Sequence, residues 1–386
     1  MIRGEKVSIM FFCGLIFILF QLSGCQQAQD FHNTNQSETV TPTAVPLPLP
    51  IEIKLAWFYK PPNNGQLNFL VENFDIFILT HKDEEERDQL RAQGITSPIL
   101  QYLQLTEIQK PDNCSGEPKG NQFAYKAGTF CEISAQHPDW FLLDQYGNRA
   151  HNQDGTYYMD PGNPGYREFW LKNAQEMQVQ FGWDGVFIDN VEASLSKLHS
   201  QGIYPANYPN DLSYQNAIYN FLAYLRLNYF NPPGHPVFAN IISKKNDTVW
   251  LHYLQQLDGA MIEAFAVGWS SDYRTAGDWE SQMELIEKAL SQGKMLILVS
   301  QGKKTDMTRQ QFAFASYLLI TNGNAAFRYT NYDNYRYVWL YDNYSIDLGA
   351  AISSRYRQGL SWRRDFTNGF VLVNPITHKS QITINP

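Results

Sequence analysis

Eight short apolar runs, rich in β-branched and aromatic residues, recur along the chain: "IKLAWFY" (53–59), "FDIFIL" (74–79), "PILQYLQ" (98–104), "DGVFID" (184–189), "PVFANI" (236–241), "GAMIEAF" (259–265), "KMLILVS" (294–300) and "NAAFRYT" (324–330). Segments of helical period lie between them, at 83–94, 163–182, 214–230, 278–293 and 308–323. Gly94, Gly182, Gly293 and Gly323 stand at the ends of four of these segments, where a C-terminal glycine belongs. Continuous apolar strands that alternate with helices mean a parallel sheet covered on both faces. Eight of them predict a (β/α)8 barrel of the TIM type. No glycine-rich dinucleotide turn argues for the doubly wound alternative. The stretch between the third and fourth strands is long, and it reads as an elaborated loop on the functional face. After the last strand, "NGFVLVNPITHKSQITI" (368–384) predicts a small β cap rather than a separate domain.

The amino terminus does not belong to this pattern. Arg3 and Lys6 precede "VSIMFFCGLIFILF" (7–20), and "LSGC" (22–25) follows. This is the three-part form of a secretory signal, and its end resembles the lipobox of bacterial lipoproteins. That resemblance implies cleavage before Cys25 and a diacylglycerol on its sulfur. Residues 1–24 are then a signal peptide, and 25–50 a lipid anchor with a proline-rich tether that lacks Lys, Arg and Gly. Residues 51–386 form the barrel domain with its β extension. The protein is expected to be exported and held at the membrane by lipid, on the periplasmic or cell-surface side.

Composition narrows the function. Net charge is −8 without a basic cluster, so nucleic acid is not an expected partner. Of four cysteines, Cys13 leaves with the signal and Cys25 carries lipid. Cys114 and Cys131 remain, and in an oxidising compartment they are expected to form a disulfide that pins the long loop. The eight histidines are scattered without ligand spacing, so no metal and no cofactor are expected.

The chemistry is expected from two carboxylates inside apolar strands. Asp189 ends the fourth strand, and alternation puts Gly185, Phe187 and Asp189 on one face, with Val186 and Ile188 opposite. Glu263 interrupts the sixth strand, on the same face as Met261. Asn240 ends the fifth and should stand between the two. In a barrel, strand ends at the C-terminal face build the active site. Two carboxylates on one cavity suit glycosidic hydrolysis, one as proton donor and the other as nucleophile or base. Asn190, Asn240 and Asp160 are candidate substrate contacts beside them, although Asp160 precedes a proline-rich helix start and also suits a turn or cap. Trp57, Trp140 and Trp269 are candidate sugar platforms, or core. The Tyr- and Asn-dense stretch 327–344 is expected to form part of a sugar-contacting rim, or else a structural Tyr cluster.

Five stretches together, "HPDWFLLDQYGN" (137–148), "MDPGNPGYREFW" (159–170), "GWDGVFIDNV" (182–191), "LDGAMIEAF" (257–265) and "WRRDFTNGFVLVNP" (362–375), resemble glycoside hydrolases related to the endo-α-1,4-polygalactosaminidases. The resemblance implies a barrel with Asp189 as nucleophile or base and Glu263 as proton donor, acting on a polysaccharide or oligosaccharide. The alternatives from other classes are a catalytically inactive barrel that binds glycan at the cell surface, and a solute-binding lipoprotein. The latter needs two similar lobes, and the sequence contains no internal repeat.

Overall fold

The computed structural model describes residues 50–115, 123, 127–231, 234–243, 247–269 and 271–385. The expected signal segment, Cys25 and the expected tether up to residue 49 lie outside them. The eight apolar runs form a closed parallel barrel. Its strands are β1 (Lys54–Phe58), β2 (Ile76–Leu79), β3 (Ile99–Gln104), β4 (Gly185–Glu192), β5 (Val237–Ile242), β6 (Gly259–Ile262), β7 (Met295–Gln301) and β8 (Ala325–Thr330). Closure comes from β1 pairing in parallel with β8, with Lys54 opposite Ala326.

Two apolar layers follow from the alternation along each strand. Phe58, Ile78, Leu100, Tyr102, Phe187, Phe238, Met261, Ile297 and Val299 fill the barrel interior. Their neighbours in sequence, such as Val186, Ile188, Leu296 and Leu298, belong to the second cluster, which includes the helices. At the bottom of the interior the backbones approach closely. A Cβ on Gly185 would meet the Pro236 carbonyl at 2.2 Å, and one on Gly259 would meet that of Met295 at 2.3 Å. Only glycine fits at either position.

The helices Pro164–Phe181, Asp211–Leu225, Ala276–Ser291 and Met307–Ile320 connect later strands. The first of them starts at Asn163, whose side chain accepts from the Tyr166 backbone N–H, and ends at Gly182 with φ 74°. Leu67–Asn73 and Asp247–Leu254 are two further barrel helices that the periodicity did not single out. Both are too short, at 7 and 8 residues, to develop a clear apolar stripe.

Among the described residues, no helix of the α type follows β8. A four-stranded antiparallel sheet does, made of β9 (Tyr356–Gln358), β10 (Ser361–Phe366), β11 (Gly369–Asn374) and β12 (Lys379–Ile384). The expected β cap is thus the β11–β12 hairpin, enlarged by two earlier strands. Val371 and Val373 of β11 are fully buried.

The long β3–β4 connection contains a short ladder of Glu107–Gln109 with Thr156–Tyr158 and the helix Ala127–Gln136. Cys114 and Cys131 are joined by a disulfide. Cross-linking a loop of 17 residues stabilises a fold by about 3 kcal/mol on the chain-entropy account.

Candidate active site

The inward-facing residues at the C-terminal ends of neighbouring strands converge on one cluster. Asp189 (β4), Asn240 (β5) and Glu263, the residue just past β6, are joined through one amide group. Asn240 Nδ2 donates to Asp189 Oδ1 at 3.0 Å and to Glu263 Oε2 at 3.0 Å. Tyr102 donates its hydroxyl to the other Asp189 oxygen. Tyr335, from the loop after β8, donates to Glu263 Oε1 at 3.4 Å. Tyr59 closes the floor, its ring 4.7 Å from Tyr102 and 5.5 Å from Tyr335. The hydroxyl of Tyr59 donates to Met261 Sδ.

Backbone irregularities aim both acids. Between β4 and β5 the register slips, with Ile188 opposite Ala239 but Val191 opposite Ile241. Asp189 and Asn190 together therefore face Asn240 alone, which is a β-bulge. Asn190 takes the left-handed conformation (φ 55°), and its amide donates to Gln104 Oε1 at 3.0 Å. The residue after Glu263 does the same: Ala264 has φ 53°. Its N–H donates to Gln301 Oε1 at 3.2 Å, and its carbonyl accepts from Arg274 Nε at 2.9 Å. A non-glycine residue at positive φ costs on the order of 1 kcal/mol or more, and these contacts hold it there.

Burial, with the adjacent Asp189 adding to it, pushes Glu263 up to about 7, against the hydrogen bonds from Asn240 and Tyr335. Tyr102 is raised well above its usual range, first by burial and then by Asp189, so it remains a neutral donor. A third carboxylate lies close by. Glu192 ends β4 and is raised by burial to about 7, even with Lys197 Nζ 3.6 Å away. Lys197 in turn binds Glu107 at 2.5 Å and so ties the β3 loop to the β4 loop.

Arg328 is the buried cation of the site. Its Nη1 donates to the Phe58 carbonyl at 2.6 Å and its Nη2 to the carbonyl of Tyr335. The guanidinium also lies 4.1 Å from the Trp57 ring centre and 4.3 Å from that of Phe58. Burial lowers it to about 9. These contacts fix the β8 loop so that Tyr335 reaches Glu263.

Two expected substrate contacts are corrected. Trp57 is 0 % exposed, with Nε1 donating to the Lys60 carbonyl, so no sugar can stack on it. Asp160 is buried and holds the turn before the 164–181 helix. It accepts from the Tyr208 hydroxyl, the Gly162 N–H and Asn207 Nδ2, and none of these bonds reaches the carboxylate pair. A turn residue wins here because three donors surround it. Trp140 is stacked on His137 at 3.9 Å and is core. Trp269 is 47 % exposed on the loop after β6. The 327–344 stretch divides: Tyr329, Tyr341 and Tyr344 pack edge-on in a structural cluster, whereas Tyr335 enters the site. Among the described residues no group of three or more His, Cys, Asp or Glu could hold a metal ion.

Residues 98–370 match hypothetical glycosyl hydrolase family 15. The chain belongs to this family. Solved structures share the fold. The maltogenic α-amylase AmyB from Thermotoga neapolitana is 11% identical, with a TM-score of 0.50 over 84% of this chain and 86% of that one. The glycoside hydrolase domain of PelA from Pseudomonas aeruginosa is 18% identical, with a TM-score of 0.49 over 75% of this chain and 98% of that one. At such identities the likeness concerns the barrel alone. No curated protein matches the chain. Membership of hypothetical glycosyl hydrolase family 15 makes the protein a glycoside hydrolase by family.

Sequence reasoning missed Tyr102, Arg274 and Arg328 as site residues and reached Tyr335 only as one member of the 327–344 stretch. Tyr102 and Arg328 carried a signal, being polar groups on the inward face of apolar strands. Arg274 sits in a loop without periodicity and carried none, whereas the Tyr density of 327–344 pointed to the loop that holds Tyr335.

Proposed function

We propose that the protein cleaves glycosidic bonds of a polysaccharide by double displacement, with Asp189 as nucleophile and Glu263 as proton donor. The observation that carries this reading is the single Asn240 amide that bonds both carboxylates at 3.0 Å. Two oxygens bound to one nitrogen at that length are at most about 6 Å apart, twice the bond length, which suits the shorter spacing of retaining enzymes and leaves little room for an intervening water.

The chemistry follows from the groups present. Glu263, raised to about 7, holds a proton near neutral pH and passes it to the glycosidic oxygen as the C–O bond breaks. Asp189, oriented by Tyr102 and Asn240, bonds to the anomeric carbon. Water then attacks that carbon, Glu263 takes the water's proton, and the Asp189 carboxylate leaves. The neutral Tyr102 and the Asn240 amide orient the nucleophile without neutralising it.

This reading predicts retention of configuration. Proton NMR of the first product formed should show the anomer of the substrate linkage, with the other anomer appearing only later by mutarotation. First appearance of the opposite anomer would assign Asp189 to base catalysis and overturn the covalent step.

We also infer export and lipid anchoring at Cys25, supported by the apolar 7–20 run and the small residues of "LSGC". Cys25→Ala should move the protein from the detergent phase to the aqueous phase on Triton X-114 partitioning. Unchanged partitioning would refute the anchor.

A further inference from the structure

A cavity of about 400 Å³ lies at the carboxylate end of the barrel, between the loops that follow β1, β7 and β8. Asn63 and Gln66 form one wall, Lys304 another, and Arg336, Tyr337 and Trp339 a third. Neither Asp189 nor Glu263 lines it, yet the third wall begins one residue after Tyr335, which donates to Glu263. Hydrogen bonds pin the walls. Arg336 Nε donates to the Pro61 carbonyl at 3.0 Å, and the Asn63 N–H donates to the Arg336 carbonyl at 3.2 Å. The Lys304 carbonyl accepts from the Tyr341 hydroxyl at 3.1 Å. These bonds leave two positive charges over. Among the described residues, the Arg336 Nη groups and Lys304 Nζ have no hydrogen-bond partner and no ion pair. No carboxylate among them lines the cavity, and the segment 61–66 contains no charged residue. Asp306, the acid on the Lys304 loop, is committed to capping the next helix, where it accepts from the Arg309 N–H at 3.1 Å. A chain of net charge −8 thus gathers two cations and no acid around one cavity.

The geometry points to a distal subsite for an acidic unit of the glycan, with its carboxylate or sulfate held by Lys304 and Arg336 and its ring against Tyr337 and Trp339. The inference rests on the two-carboxylate reading above and adds a substrate class and a place to it. The volume is that of a small-ligand pocket. A guanidinium whose Nε is engaged still presents two Nη donors side by side, which match two oxygens of an oxyanion. Lys304 adds a point charge beside it. The rings of Tyr337 and Trp339 are parallel to within 8°, with centres 6.4 Å apart, and Tyr337 is 45 % exposed. Such rings offer apolar faces to the C–H face of a sugar. A neutral unit can use the rings but not the cations, so charge sets the preference.

The test uses the full-length protein carrying Glu263→Gln, so that binding is read without turnover. Two pairs of oligosaccharides of about six units are titrated by calorimetry, each pair sharing one backbone: an oligogalacturonate with its methyl ester, and a sulfated galactan with its desulfated form. In at least one pair the acidic member should bind tenfold or more tighter than the neutral one, and the pair that responds tells carboxylate from sulfate. Adding Lys304→Gln and Arg336→Gln should bring that preference within twofold and leave the neutral member unchanged. Glutamine at 336 keeps a donor for the Pro61 carbonyl. If this variant does not fold, Lys304→Glu alone is the measurement: the side chain is exposed, and the change should weaken the acidic ligand tenfold while sparing the neutral one. The inference is overturned if neither acidic member is preferred, or if the preference survives these substitutions. Failure of the catalytic reading looks different: Asp189→Asn and Glu263→Gln would then hydrolyse glycan as fast as the parent.

Discussion

Asp189→Asn and Glu263→Gln should each lower turnover by about a thousandfold or more while leaving the protein folded. Both replacements keep the size of the side chain and a hydrogen-bonding oxygen. In the Asp189→Asn variant that remaining oxygen can still accept from Tyr102 or Asn240, so the network of the parent has a near-isosteric substitute. What each variant loses is chemical: an amide neither bonds to an anomeric carbon as a stable leaving group nor donates a carboxylic proton. General acid catalysis alone contributes about 10²–10⁴-fold, and the charge that stabilises the oxocarbenium-like state contributes further. The double variant should be scarcely worse than the singles, because the two groups act in one step. The measurement is reducing-end release over a polysaccharide panel, paired with thermal unfolding of each variant. Parent-like rates, or variants that unfold where the parent does not, would make the carboxylates structural.

The second large effect is on stability, and it depends on pH. Glu263 rises from its ordinary 4.5 to about 7 on folding, through burial first and Asp189 second. Between these two values the folded protein keeps a proton that the unfolded chain has released. The parent is therefore most stable, as far as this group goes, below pH 4.5; it loses stability as pH rises to 7 and stays at the lower level above. The loss is on the order of 3 kcal/mol. Glu263→Gln has no proton to lose. Its unfolding midpoint should match the parent's near pH ~4 and exceed it at pH ~8, where urea titrations of both proteins compare them directly. A constant offset at all pH values would show that Glu263 does not titrate in this window. The same ionisation should set the basic limb of the activity profile, with hydrolysis falling as pH rises through about 7. Glu192, also raised to about 7, is present in both proteins and cancels from their comparison.

Such a site trades stability for chemistry. A buried carboxyl pair, two left-handed residues directly after the acids and a buried Arg328 are each unfavourable locally. Each is held by its neighbours. Gln301 and Arg274 hold Ala264, Gln104 holds Asn190, and the carbonyls of Phe58 and Tyr335 hold Arg328.

The amino-acid sequence by itself determined the eight strands, their order between helices and, in the fourth and sixth, the face that bears the carboxylate, because an apolar run and the alternation along a strand are local properties. It also marked Asp189 and Glu263, since a carboxylate in such a run has to face either a cavity or a partner. Tertiary structure decided the rest. Asn240 bonds both acids only because β4, β5 and β6 are neighbours in the closed sheet and because the bulge at Asn190 keeps Asp189 in line with it. Tyr335 reaches Glu263 only because Arg328, on the strand before its loop, holds its carbonyl beside that of Phe58 across the closure. Trp57 and Asp160 had the residue types of sugar contacts, but burial and three hydrogen-bond donors respectively removed them from that role. A sequence records which groups are available; the distances that turn two carboxylates into a pair arise only when strands far apart in the chain close on one another.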